Sequence, residues 1–167
     1  MKQHAMAALL ALLAGCSPMT GVADIKARHR ELYQAGRRAE AALSLGINAA
    51  EARALRIELA AALAITDDVV PSNEEICMVE AYKKALDPLT DAMVLVAARG
   101  NDDLLYVGGR EERLIVEKYQ LSPRYDRPLG NRSKALAGEA VADVLAIAQR
   151  ALTEGRKAYL SLPAGSP

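Results

Sequence analysis

Histidine and cysteine are scarce in this 167-residue chain, with two of each, whereas carboxylates are plentiful, with 21 Asp and Glu residues that leave acid-base chemistry open by inventory alone. Past His4 the single imidazole is His29, set between Arg28 and Arg30. Two cationic neighbours discourage its protonation, and the charged surroundings predict a surface histidine rather than the base of a Ser-His-Asp or Cys-His site. Cys77 stands between Ile76 and Met78, which predicts a small buried side chain on a helix. No cluster of Cys and His has the spacing of a zinc site. The carboxylate pairs Glu74-Glu75, Asp102-Asp103 and Glu111-Glu112 are sequence neighbours. Such neighbours project in different directions and do not face each other across a glycosidic bond. Trp and Phe, the usual sugar platforms, are absent. Asp67-Asp68 and Asn101-Asp102-Asp103 lack the spacing of a calcium loop and suit helix caps and turns. Gly108-Gly109 is followed by neither Lys-Ser nor Lys-Thr and lacks dinucleotide spacing, so it predicts a turn. The expectation is a protein with no catalytic residue, no cofactor-binding residue and no metal ligand.

The remaining thiol, Cys16, has a more specific setting. Met1-Lys2-Gln3-His4 is a short positive start, and Ala5 to Ala14 is an uncharged run too short to span a bilayer as a helix. That is the anatomy of a signal peptide over residues 1–15. Its end, Leu13-Ala14-Gly15-Cys16, resembles the lipobox of bacterial lipoproteins: an aliphatic residue, two small residues and a cysteine. The resemblance covers only this targeting segment. It implies cleavage before Cys16, a covalent lipid on the Cys16 thiol, and up to three acyl chains, which together hold a protein at a membrane where one chain binds only marginally. In the Gram-negative members, sorting follows the residue after the cysteine; Ser17 in place of Asp implies the outer membrane. Residues 16–22, with Pro18 and Gly21, then form a lipidated tether.

Twenty-one basic residues balance 21 acidic ones, and the signal peptide contributes only Lys2, so nothing attracts nucleic acid wholesale. Charges are interspersed, as in Arg110-Glu111-Glu112-Arg113, the pattern of solvated helix faces. Hydrophobic residues make up 51% of the chain but only 4% are aromatic, which predicts a small aliphatic core of closely packed helices.

Residues 23–162 read as one helical domain, with 163–167 a tail. A helix is expected from Ala23 to about Leu45, either continuous or broken at Gly36. Asn48 with Glu51, and Ser72 with Glu75, are capping-box pairs that open two more helices. The first carries the apolar stripe Ala52, Leu55, Leu59 and Leu63. The second carries Ile76, Val79, Leu86, Leu89, Met93 and Val96, with a kink or restart at Pro88. Leu104 to Val107 suggests a brief extended piece, Glu111 to Gln120 a helix, and Ser122 to Asn131 a loop. Ser133 to Leu162 reads as one long helix through Leu136, Ala140, Val144, Ala148, Ala151 and Leu152. These elements predict an all-α bundle of about four to six helices. Leu32 to Ala41 resembles the first helix of a tetratricopeptide repeat, but no second unit follows about 34 residues later.

The functional expectation is a membrane-anchored periplasmic lipoprotein that works without catalysis, as a structural, assembly or partner-binding component of the cell envelope. Its partners would be the membrane, through the lipid on Cys16, and an envelope protein. The alternative is a helical module binding a small ligand or peptide, and a cell-wall enzyme comes third.

Overall fold

The expected capping boxes form. Asn48 and Glu51 exchange bonds at 3.0 Å in both directions, each main-chain N–H donating to the other's side chain. The Ser72 N–H donates to Glu75 Oε2 at 2.7 Å. Each box satisfies donors that a helix start leaves unpaired. The computed structural model describes residues 22–46, 48–67, 72–122, 126–128 and 134–163. Within them lie α1 (Val22–Arg28), α2 (Arg30–Leu45), α3 (Ala49–Asp67), α4 (Asn73–Ala97), β1 (Leu104–Tyr106), α5 (Arg110–Lys118), β2 (Asp126–Pro128), β3 (Lys134–Ala137) and α6 (Glu139–Ser161). The signal peptide, Cys16 and the tether up to residue 21 lie outside the described residues, as do residues 164–167 of the tail.

The fold is an all-α bundle with a small sheet attached. Helices α2, α3, α4 and α6 enclose a core that includes Leu32, Leu59, Met78, Tyr82, Leu89 and Leu152, all buried. Each such side chain contributes about 1.5–3 kcal/mol relative to exposure. Helix α6 runs antiparallel to α4, with Gly155 against Tyr82 at one end and Val141 and Val144 clustered with Ala92 and Leu95 at the other. Tyr82 is the one large aromatic at the centre, and two glycines accommodate it. A methyl group added at Gly36 or Gly155 would collide with its ring, at 2.9 Å in the case of Gly155.

A second core cluster, including Leu105, Ile115, Leu121 and Leu136, joins the far end of α4 and α6 to α5 and the sheet. The sheet is antiparallel with order β1-β3-β2. Leu105 faces Leu136 across one pair and Asp126 faces Leu136 across the other. Pro128, which has no N–H to give a ladder, ends the edge strand β2.

Four expectations need correction. The first helical stretch breaks at His29, which sits in a turn between α1 and α2; Gly36 is mid-helix, a packing glycine. Of the kink or restart expected at Pro88, the restart does not occur, and Pro88 lies buried inside a continuous α4. The long helix begins at Glu139 rather than Ser133, because Lys134–Ala137 pairs with two strands as β3. The stretch Ser122 to Asn131, expected to be a loop, contains β2.

Candidate functional site

Two features of the bundle bear on function, one at each end. At the α1 end, His29 and Glu75 are both buried, with His29 only 2% exposed. His29 Nε2 donates to Glu75 Oε1 at 2.6 Å, and Arg28 Nη1 donates to the same oxygen at 3.3 Å. Burial pushes the Glu75 carboxyl up, but bonds from the Ser72 main chain and side chain and from His29 outweigh it and hold the group below its ordinary range. His29 Nδ1 is buried with no partner among the described residues. The hydroxyl beside this pair, that of Ser72, is engaged in the capping box with Glu75, and the geometry is that of a structural clasp between the α1–α2 turn and the start of α4.

The same end holds α1 against α6. Tyr159 Oη donates to the Lys26 carbonyl at 3.0 Å, Lys26 Nζ donates to the Leu160 carbonyl at 3.4 Å, and Tyr33 stacks on Tyr159 with ring centres 4.1 Å apart. Helix α1 therefore approaches the body of the protein at the C-terminal turn of α6.

At the opposite end an open groove of about 590 Å³ runs between the last turns of α2 and α4 and the first turns of α6. Its floor is aliphatic, from Leu43, Val96, Val141, Ala142 and Leu145, and its rim carries Asn48, Arg99, Asp103, Glu139 and Gln149. The volume falls in the range of sites that take small ligands or short peptide segments. Arg99 and Asp103 are ion-paired on the rim. Asp103 has φ 63°, a left-handed conformation that Asp tolerates better than most residues, and it packs against Gly138, where a Cβ would lie 2.8 Å from the Asp103 carbonyl oxygen. A smaller apolar pocket of about 170 Å³ lies between α5 and the sheet, lined by Val107, Val116 and Leu136.

The residues singled out by chemistry do not converge. Cys16 lies outside the described residues. His29 is buried, not on the surface, because the turn at this residue swings its ring inward to Glu75. Cys77 is exposed, not buried, because the inward face of α4 runs through Met78, Val79, Tyr82, Ala85 and Leu89 and leaves residues 76 and 77 outside. Asp102 accepts a bond from Tyr106 Oη and Asp103 pairs with Arg99, so both act within the turn before β1. Gly109 is the N-cap residue of α5, with an extended backbone. Among the described residues no group of three or more His, Cys, Asp and Glu is placed to hold a metal ion, and no helix is long and apolar enough to cross a membrane. The groove was invisible in the sequence, since its lining comes from three helices distant in the chain. No family model, curated protein or solved structure matches this chain.

Proposed function

We propose that the chain is a lipid-anchored envelope protein that holds a helical domain at a membrane surface and presents the groove to a protein partner. The observation that carries this reading is the polarity of the bundle. Helix α1, six residues beyond Cys16, packs on the C-terminal turn of α6, whereas the groove is built on the first turns of α6. Helix α6 has 23 residues, which at 1.5 Å each separates the two ends by roughly 30 Å. A tether of six residues reaches at most about 20 Å. An anchor at Cys16 therefore keeps the α1 end near the bilayer and turns the groove away from it. Tethering raises the local concentration for a partner in the same envelope, so a modest interface suffices. The chemistry is non-enzymatic in this reading, and the acyl groups on Cys16 are its only covalent addition.

A second reading, a module binding a small ligand or peptide, draws on the groove's volume and aliphatic floor. The two readings part on what occupies it. A photo-crosslinker at Ala142 that captures one envelope protein in stoichiometric yield supports the first; thermal stabilisation of the purified chain by a small molecule, abolished by Ala142→Trp, supports the second.

The anchor has its own test. Cys16→Ser, in a chain whose residues 1–15 are replaced by an ordinary cleavable secretion signal, moves the protein from the membrane to the soluble fraction and lowers its mass by that of the lipid. A Cys16→Ser chain that still sediments with membranes at unchanged mass defeats the proposal.

A further inference from the structure

Helix α3 is apolar on both faces. Its inward face, through Ala52, Leu59 and Leu63, is buried in the bundle. Its outward face should be polar, yet it exposes Ala50, Ala54, Ile57, Ala61 and Ala64, with Ile57 56% and the adjoining Ile65 59% exposed. The steps along this face are 4, 3, 4 and 3 residues, the alternation of a coiled-coil seam. An exposed Ile57 within this stripe, with Ile65 beside its end, gives a water-facing helix an apolar face suited to an interaction.

We infer that this outward face of α3 is a parallel, twofold seam between two copies of the chain. Three features commit the seam to a second copy. The pattern is self-complementary, since two identical 4-3-4-3 stripes mesh along the same span, about 22 Å from residue 50 to residue 65. Small residues at four of its five positions let the two helix axes come close. The flanks also match: with Ala54 and Ala61 in one seam position and Ile57 in the other, Arg53 of one copy falls opposite Glu58 of the second, five residues on, which is the spacing of interhelical charge pairs in parallel coiled coils. Both flanking residues reach solvent. Glu58 already pairs with Arg38 of α2, so the seam adds a second cation to that carboxylate on each side.

The parallel orientation rests on the anchor reading. Two copies held in one bilayer by the same end stand side by side with a twofold axis along the membrane normal, which sets their α3 helices parallel. Two heptads are short for an association that persists in dilute solution. Confinement to one membrane raises the effective concentration and makes the short seam sufficient.

The test uses the full chain in membranes, in a Cys77→Ser background, with Ala54→Cys or Ala61→Cys and a short bismaleimide. A parallel seam gives same-residue dimers at both positions, at least ten-fold above Glu154→Cys on the exposed side of α6. Ile57→Lys lowers the yield at Ala61 at least five-fold with no change in melting temperature. Arg53→Glu lowers it as well, and adding Glu58→Arg restores it. An antiparallel pair links Ala54 to Ala61 in mixed samples but neither to itself, and overturns the parallel seam. Yields at both positions no greater than at Glu154→Cys, or capture of a different protein there, overturn the second copy. Cys16→Ser separates this inference from the anchor reading: if that chain stays with the membrane the anchor fails, whereas the products at Ala54 and Ala61 alone decide whether the seam exists.

Discussion

His29 and Glu75, 46 residues apart in the chain, meet at 2.6 Å, both buried. One carboxylate thereby serves three masters: it completes the capping box with Ser72, accepts from the His29 imidazole, and receives a longer bond from Arg28. The result fixes the α1–α2 turn onto the start of α4. Loss of such a group leaves a buried imidazole and a bare helix start, which sets the scale of the first prediction.

Glu75→Ala is expected to lower stability by about 3 kcal/mol, as breaking a buried pair and a cap does. Glu75→Gln keeps an acceptor and costs less, about 1 kcal/mol. The carboxyl is held below its ordinary value of 4.5 in the folded protein, so the unfolded chain takes up a proton first as pH falls. The stabilisation from this group is therefore present in full above pH of about 5 and is lost progressively below the ordinary Glu range. Urea unfolding at pH 7 and pH 4 checks both points: the gap between wild type and Glu75→Gln should narrow at the lower pH.

Tyr82 is wedged between two helices through two glycines, which makes it sensitive in both directions. Gly36→Ala is expected to destabilise by about 2–3 kcal/mol, since overpacking forces the ring or the helix to shift. Combining it with Tyr82→Leu should cost less than the sum of the two single changes, because the smaller side chain vacates the clash. Tyr82 Oη has no bonding partner among the described residues, and burial raises its pKa. Tyr82→Phe removes an unpaired hydroxyl and is expected to leave stability unchanged or raise it by up to about 1 kcal/mol. Thermal unfolding of the four variants decides the matter.

Glu40 sews α2 to α6, accepting from Thr153 Oγ1 at 2.8 Å and from Arg156 Nε at 2.9 Å. The pair is partly buried, with side-chain exposures of 16% for Glu40 and 31% for Arg156. A double-mutant cycle of Glu40→Gln and Arg156→Met should give a coupling energy of about 1 kcal/mol at low salt, falling as salt is added. The same cycle on the more exposed Arg38–Glu58 pair should give a smaller value.

Cys77 is exposed, so native protein anchored through Cys16 should titrate one thiol with maleimide before any denaturant is added, and Cys77→Ser should titrate none. The substitution touches no core contact and is expected to change stability by less than about 0.5 kcal/mol.

Much of the bundle was legible because short-range chemistry fixes helix starts and periodic burial fixes helix faces. Asn48, Glu51, Ser72 and Glu75 cap where they were expected to. The stripe through Ala52, Leu59 and Leu63 is buried, as are Ala140, Val144, Ala148 and Leu152. Where several apolar stripes compete, the sequence decides less. Helix α4 offered Ile76 as a core position, but the rotation that seats Tyr82 against Gly36 and Gly155 turns Ile76 and Cys77 outward. Lys134–Ala137 has good helix-forming residues, and pairing on both edges as the central strand overrides that preference.

By itself the sequence determined the local elements, the capping residues and the helical periodicity, both of which depend on residues a few positions apart. Only the tertiary structure decided the roles of His29, Cys77 and β3 and the existence of the groove. Each of these depends on which face of one element meets another tens of residues away, and that is settled by packing around Tyr82 and by the clasp at Glu75, not by any spacing along the chain.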